Sequence, residues 1–169
     1  TSDRALYEKA LEALDTEIAR LLQSVDLATT TIILVGDNGT PGQVVQAPYG
    51  PTGPTGHSKS DPYEGGVHVP FIALGPDVTL PAGSTSDELS SLMDLLPTFT
   101  KLAGAKLPVR TIDGKNLWHT WGPANGKSPH KYFFYYHTQH LEAVRDARWK
   151  MLLPHAPDRK LRRGVKRIT

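Results

Sequence analysis

Asp37 and Asn38 set a carboxylate beside a carboxamide just past the apolar run Ile32, Ile33, Leu34, Val35 and Gly36, and Gly39 follows them. A charged and a neutral oxygen side by side make a hard donor pair, suited to calcium or magnesium rather than to zinc or copper. The same residue types equally favour a plain turn, so taken alone they leave both readings open. Such a cation takes about six or more oxygens, and two side chains supply part of a site. About twenty residues later, Gly56-His57-Ser58-Lys59 leads into Tyr63-Glu64-Gly65-Gly66-Val67-His68-Val69-Pro70. This places a lone lysine in a glycine- and proline-rich loop, where a lysine is ordinarily solvated. His57, His137 and His140 add imidazoles able to take or give a proton near neutral pH.

These residues need elements to position them. Tyr7, Ala10, Leu11, Leu14, Ile18, Leu21, Leu22 and Val25 recur at three- and four-residue spacing, which predicts an amphipathic helix whose apolar face needs a partner. Thr29 to Val35 reads as a strand buried on both faces, and with the helix before it the pattern predicts an α/β layer. Asp37 then falls beyond the strand's carboxyl end, where open α/β sheets place ligands. Residues 40–66 carry no hydrophobic period and read as a long loop, tied at one end to Asp37-Asn38-Gly39 and at the other to a strand over Val69–Leu74.

Farther on, Asp94 is placed to cap a helix with Leu95, Leu96, Phe99, Leu102 and Ala103 on one side, Pro97 in its first turn and Gly104 as its stop. Lys131–Tyr136, Leu141–Arg145 and Arg148–Leu153 read as strands, the last two joined at Asp146-Ala147, which predicts a small antiparallel sheet. The aromatic run Tyr132 to Tyr136 reads as sheet core rather than as a platform for nucleic-acid bases.

The Asp-Asn-Gly strand end followed by Gly-x-x-Lys and Tyr-Glu-Gly-Gly-x-x-Val-Pro resembles the second half of the sulfatases of the alkaline phosphatase superfamily. The resemblance continues through Asp94-Leu95-Leu96-Pro97-Thr98, Leu102-Ala103-Gly104, Leu107-Pro108, Asp113-Gly114-x-x-Leu117, Ala143-Val144-Arg145-Asp146 and Trp149-Lys150, and spans roughly residues 5 to 153. It implies an α/β fold: part of the sulfatase/alkaline-phosphatase-like mixed sheet with flanking helices over residues 1–106, a small carboxyl-terminal antiparallel-sheet subdomain over 107–154, and a basic tail over 155–169. It also implies that Asp37 and Asn38 help hold Ca2+, with Mg2+ as the alternative, and that Lys59 contacts the sulfate and its leaving oxygen. In the same light Glu64, Gly65 and Gly66 are architecture that aims Lys59. His57 is a candidate substrate contact, His137 and His140 are candidate rim residues for substrate choice, and His68 and Arg145 are structural.

The family's nucleophile, a formylglycine made from the Cys or Ser of Cys/Ser-x-Pro-x-Arg, has no counterpart here. The chain has no cysteine, and its Ser60-Asp61-Pro62 is followed by Tyr63 and Glu64 rather than by the required arginine. The resemblance therefore implies that the missing amino-terminal half of the same protein supplies formylglycine and the paired aspartates of the metal site, and that this chain by itself does not turn over substrate. The partner expected is a sulfated small molecule or glycan. The alternatives are a phosphomonoester or phosphonate hydrolase of the same superfamily, and a non-catalytic anion- or glycan-binding relic.

Composition bounds these readings. At 169 residues and 38% hydrophobic content the chain can form a domain with a core. The absence of cysteine excludes a disulfide framework and a thiolate zinc site, but does not locate the protein; periplasmic, secreted or lysosomal placement follows from the resemblance alone. No apolar run is long enough for a membrane span. The start at Thr1, without methionine or signal-peptide anatomy, supports a fragment. Six Lys/Arg against Asp158 put +5 into residues 155–169, which with an overall +2 leaves −3 on the rest. That tail would attract phosphate, sulfated glycan or an acidic membrane surface, and its expected state is solvated and irregular; no specific nucleic acid is expected.

Overall fold

The computed structural model describes residues 2–41, 44, 58–121 and 126–154, with the backbone of 164–167. The chain divides into two compact units, Thr1–Pro76 and Asp77–Thr169.

The first unit opens with α1, Asp3–Leu22. Ser2 caps it by accepting from Ala5 N at 3.3 Å, and Asp3 in the first turn and Arg20 in the last complement the helix dipole. Arg4–Glu8 at 2.8 Å and Arg20–Glu17 at 2.6 Å line its polar side. The predicted apolar stripe forms, yet no α1 residue is buried, and Leu14 is 52% exposed.

The strand that ends just before Asp37 is β1, Ile32–Val35, shorter than the sequence suggests. It pairs antiparallel with β2, Phe71–Leu74, in the register Ile32↔Leu74 to Val35↔Phe71. Burial on both faces does not occur: Leu34 is 42% exposed and Ile72 more so. The physical reason is that this sheet has two strands, and a two-stranded sheet has nothing on its faces unless another element supplies it. Between the strands lies α2, the single turn Glu64–Val67.

In the second unit a 3-10 turn, Leu92–Asp94, precedes α3, Leu95–Leu102, and Gly104 ends α3 at φ +62°, as the sequence predicts. Asp94 stands at the start of α3, but its side chain makes no capping bond there, contrary to the expectation, because its oxygens are taken by other partners. Its carboxylate accepts from Ser91 N at 2.8 Å and Lys115 N at 2.7 Å, and His130 Nε2 lies 2.8 and 2.9 Å from its two oxygens. Thr98 Oγ1 donates to Asp94 O at 2.7 Å and accepts from Leu117 N at 2.9 Å. Asp94 and Thr98 are fully buried and His130 nearly so. These bonds fasten the start of α3 to residues 115–130, which include α4, Trp118–Trp121.

The rest is a four-stranded antiparallel sheet in the order β3-β4-β5-β6: Phe133–His137, His140–Arg145, Trp149–Leu152 and Gly164–Arg167. The β4–β5 hairpin turns where expected, because Asp146 Oδ1 accepts from Arg148 N and Trp149 N, both at 2.7 Å. Two expectations fail. The tail is not wholly irregular, since Gly164–Arg167 pairs with β5 from Leu152↔Gly164 to Trp149↔Arg167. Nor is the aromatic run all core. Side chains alternate across a strand, so consecutive aromatics cannot share one face. Tyr135, Ala143 and Leu152 form one row, with Ala143 and Leu152 buried and Lys150 Nζ 4.1 Å above the Tyr135 ring. Phe134, opposite Val144 and Met151, is on the other face and 52% exposed, and Tyr132 and Tyr136 are exposed as well.

Candidate active site

The Asp37–Asn38 segment is held by three backbone hydrogen bonds within five residues. Gly36 N donates to Pro70 O, Gly39 N to Gly66 O, and Lys59 N to Thr40 O, each at 3.0 Å. The end of β1, the lysine turn and the Glu64-Gly65-Gly66 turn are thus one loop cluster. The glycines explain how the backbones come so close. A Cβ on Gly39 would stand 2.6 Å from Gly66 Cα and collide with Gly65 O; one on Gly66 would stand 2.6 Å from Ser58 O. Of the two reasons for glycine here, close approach is the operative one, since neither residue has a positive φ.

Lys59 sits at the corner of a tight turn. Asp61 N donates to Ser58 O at 3.1 Å, Ser58 N donates to Asp61 Oδ2 at 3.2 Å, and Ser60 adopts φ +78°, a left-handed conformation uncommon outside glycine. The turn projects the Lys59 side chain outward, where it is exposed. Among the described residues none encloses the ammonium in a water-poor pocket. Glu64 lies 3.8 Å from His68 Nδ1, and His68 N donates to Glu64 O at 2.7 Å, which ties α2 to the approach of β2.

Asp37 is exposed and Asn38 half-buried. Asn38 Nδ2 donates to Gly39 O at 3.1 Å, and its Oδ1 takes no hydrogen bond from the described residues. The Asp37 carboxylate likewise engages none of them. Two hard oxygens without donors among the described residues, at the end of a strand, fit a share of a calcium or magnesium site. They fall short of a full one. Among the described residues no group of three or more His, Asp or Glu could hold a metal.

Of the other sequence candidates, His57 lies outside the described residues. His137 and His140 belong to the second unit, at the tip of the β3–β4 hairpin, both exposed. The sequence reading missed His130. Its signal would have been an imidazole among residues that must return to α3, but no short-range spacing marks it: its partner Asp94 is 36 residues away.

A family model described as "Sulfatase" matches residues 1–105. The chain belongs to the sulfatase family. Human steryl-sulfatase is 35% identical over 153 residues, covering 85% of this chain and 26% of that protein. Human arylsulfatase A is 35% identical over 142 residues, covering 80% and 27%. Pig N-acetylgalactosamine-6-sulfatase is 35% identical over 159 residues, covering 89% and 29%. Among solved structures, one in complex with its substrate D-glucosamine-2-N,6-O-disulfate superposes with a TM-score of 0.60 at 26% identity, covering 83% of this chain and 29% of that one. This sulfatase chain thus spans about a quarter of the length of the curated relatives it matches. Its mixed α/β architecture with antiparallel sheets agrees with the fold class expected from sequence. No helix among the described residues is long and apolar enough to cross a membrane.

Proposed function

We propose that this chain is the part of a sulfatase that presents Asp37 and Asn38 to a calcium ion and Lys59 to the sulfate of a sulfate monoester, the nucleophile coming from the rest of the protein. The observation that carries the reading is the loop cluster itself. Backbone bonds at Gly36, Gly39 and Thr40 put the hard oxygen pair and the lysine turn into one rigid group, and family membership accounts for both motifs.

In this reading Asp37 contributes charge and a carboxylate oxygen to the metal, and Asn38 contributes Oδ1, the atom its Nδ2 bond to Gly39 leaves available. The calcium ion would neutralise sulfate oxygens, and Mg2+ is the alternative ion. Lys59 places an ammonium against the leaving side of the sulfuryl group, stabilising charge that grows there during transfer. That contribution is large only where water is excluded, so Lys59 acts in full once the remainder of the protein covers its turn. Formylglycine, made from a Cys or Ser outside this chain, is the nucleophile of this reading.

The exposed apolar stripe of α1 and the half-exposed β1–β2 sheet support it, as surfaces on which the remainder of a sulfatase packs. Residues 1–106 then belong to the main α/β domain and 107–154 to the smaller subdomain, with Asp94 bonded across that boundary to Lys115 and His130. The substrate class is a sulfated small molecule or glycan; the structural relative's own substrate is a sulfated sugar. His57 is read as a substrate contact, and His137 and His140 as rim residues.

The test compares matched aryl sulfate and aryl phosphate on the complete protein. Preferential sulfate hydrolysis, abolished in Lys59→Ala and Asp37→Ala, is expected. Preferred phosphate hydrolysis would assign the phosphohydrolase alternative, and turnover of neither would leave an anion-binding relic. Steady sulfate hydrolysis by the 169 residues alone would refute the division of labour proposed here.

A further inference from the structure

We infer that Asn38 is a latent deamidation site, kept as a carboxamide by the hydrogen bond from Gly39 N to Gly66 O and converted to aspartate or isoaspartate when that bond opens. Asparagine is among the thermally labile residues, and a following glycine, with no Cβ, leaves its backbone nitrogen free to approach the side chain. Asn38-Gly39 is such a pair. The reaction is a cyclisation. Gly39 N loses its proton to a solvent base and bonds to Asn38 Cγ, and the Cγ–Nδ2 bond breaks as Nδ2 takes up a proton and leaves as ammonia. Water then adds to one of the two carbonyls of the succinimide. Breaking the bond from Cγ to Gly39 N gives aspartate, and breaking the bond from the main-chain carbonyl carbon to Gly39 N gives isoaspartate.

The loop cluster opposes each step. Gly39 is buried and its N–H donates to Gly66 O at 3.0 Å, so the attacking nitrogen is held in a hydrogen bond and away from solvent base. Asn38 is half-buried, and Nδ2, the leaving nitrogen, is fixed on Gly39 O at 3.1 Å. Room to turn is lacking as well. The space beside Gly39 Cα is filled by Gly65 O and by Gly66 Cα, the latter 2.6 Å from where a Cβ would stand. Gly39 therefore cannot swing its nitrogen toward Cγ until the cluster parts. Parting is a local event, since the adjoining β1–β2 sheet has two strands and such a sheet is marginal alone. On the reading proposed above, closure also keeps one carboxylate rather than two at the oxygen pair, but the modification itself does not depend on that reading.

The experiment incubates the 169-residue chain at mildly alkaline pH over a series of urea concentrations, from none to full unfolding. Peptide mass spectrometry follows the small mass gain at Asn38 and, as an internal reference, at Asn125, which precedes Gly126 and lies outside the described residues. Isoaspartyl methyltransferase labelling measures the isoaspartate, and hydrogen exchange follows the Gly39 amide in the same samples. In full urea the two asparagines should deamidate at similar rates. Without urea the Asn38 rate should fall by about tenfold or more, the factor by which the cluster is closed. Between these limits Asn38 deamidation should rise in proportion to Gly39 exchange. Gly66→Ala, whose Cβ would stand 2.6 Å from Ser58 O, should speed Asn38 deamidation without urea. Equal Asn38 rates in the folded and unfolded chain, a rate that does not follow Gly39 exchange or is unmoved by Gly66→Ala, or no deamidation at Asn38 even in full urea, overturns the inference.

Discussion

His130 Nε2 bridges both carboxylate oxygens of Asp94 at 2.8 and 2.9 Å, in a part of the second unit where the aspartate has no exposed surface. With Ser91 N and Lys115 N also donating to it, that carboxylate joins three separate stretches of chain. Removing one partner of a buried pair strands the others. Asp94→Ala should lower stability by about 3–5 kcal/mol in urea unfolding, and a loss below about 1 kcal/mol would refute a structural role for the pair.

The close approach of Gly39 to Gly66 gives a second expectation. Gly39→Ala must push the Gly65-Gly66 backbone away and break the Gly39 N to Gly66 O bond. Overpacking of this kind costs about 1–3 kcal/mol. Amide exchange should show Gly39 and Lys59 losing protection together, because both belong to the one loop cluster. Independent behaviour of the two amides would argue against it.

Lys59 is exposed on its turn, so Lys59→Ala should leave the fold of this chain unchanged. In the complete protein the same change should lower kcat by about 10²–10³, the scale of losing one charge-stabilising donor. Unchanged kcat would remove Lys59 from the mechanism. Chelation of divalent ions should abolish the activity and Ca2+ should restore it, with Asp37→Ala raising the Ca2+ concentration required.

Acid should weaken the second unit through two carboxylates. The Lys127 ammonium, and then the Ser128 amide, hold Glu88 below its usual range; the Trp149 and Arg148 amides do the same for Asp146. Both folded-state values are depressed. Their stabilisation is therefore complete above the ordinary carboxylate range and lost as pH falls through the lower folded values. Lys127 is raised by Glu88, so its share is present below the ordinary ammonium value of 10.5 and lost as pH climbs through the raised one. Urea midpoints of the parent chain, Glu88→Gln and Asp146→Asn should differ near neutrality and converge in acid; a gap that persists or widens below about pH 3 contradicts the assignment.

Phe134 and Tyr135 offer a test of sheet polarity. Tyr135→Ala removes a ring from the face that buries Ala143 and Leu152 and carries Lys150, and should cost about 3 kcal/mol or more. Phe134→Ala on the exposed face should cost well under half of that. Equal losses would mean that the two faces are equally packed.

Local chemistry was legible along the chain. The periodicity of α1, the stop at Gly104 and the Asp146 turn each rest on interactions a few residues long, and each is where the sequence places it. Contacts between distant residues were not. That Asp94 meets His130, that Gly39 presses on Gly66, and that residues 164–167 return to pair with β5 depend on how the chain doubles back, which no short spacing encodes. The aromatic run shows the boundary between the two: composition marks Tyr132 to Tyr136 as a strand, but which alternate rings meet a core is decided by register, because the pleat sends successive side chains to opposite faces and tertiary packing covers one of them.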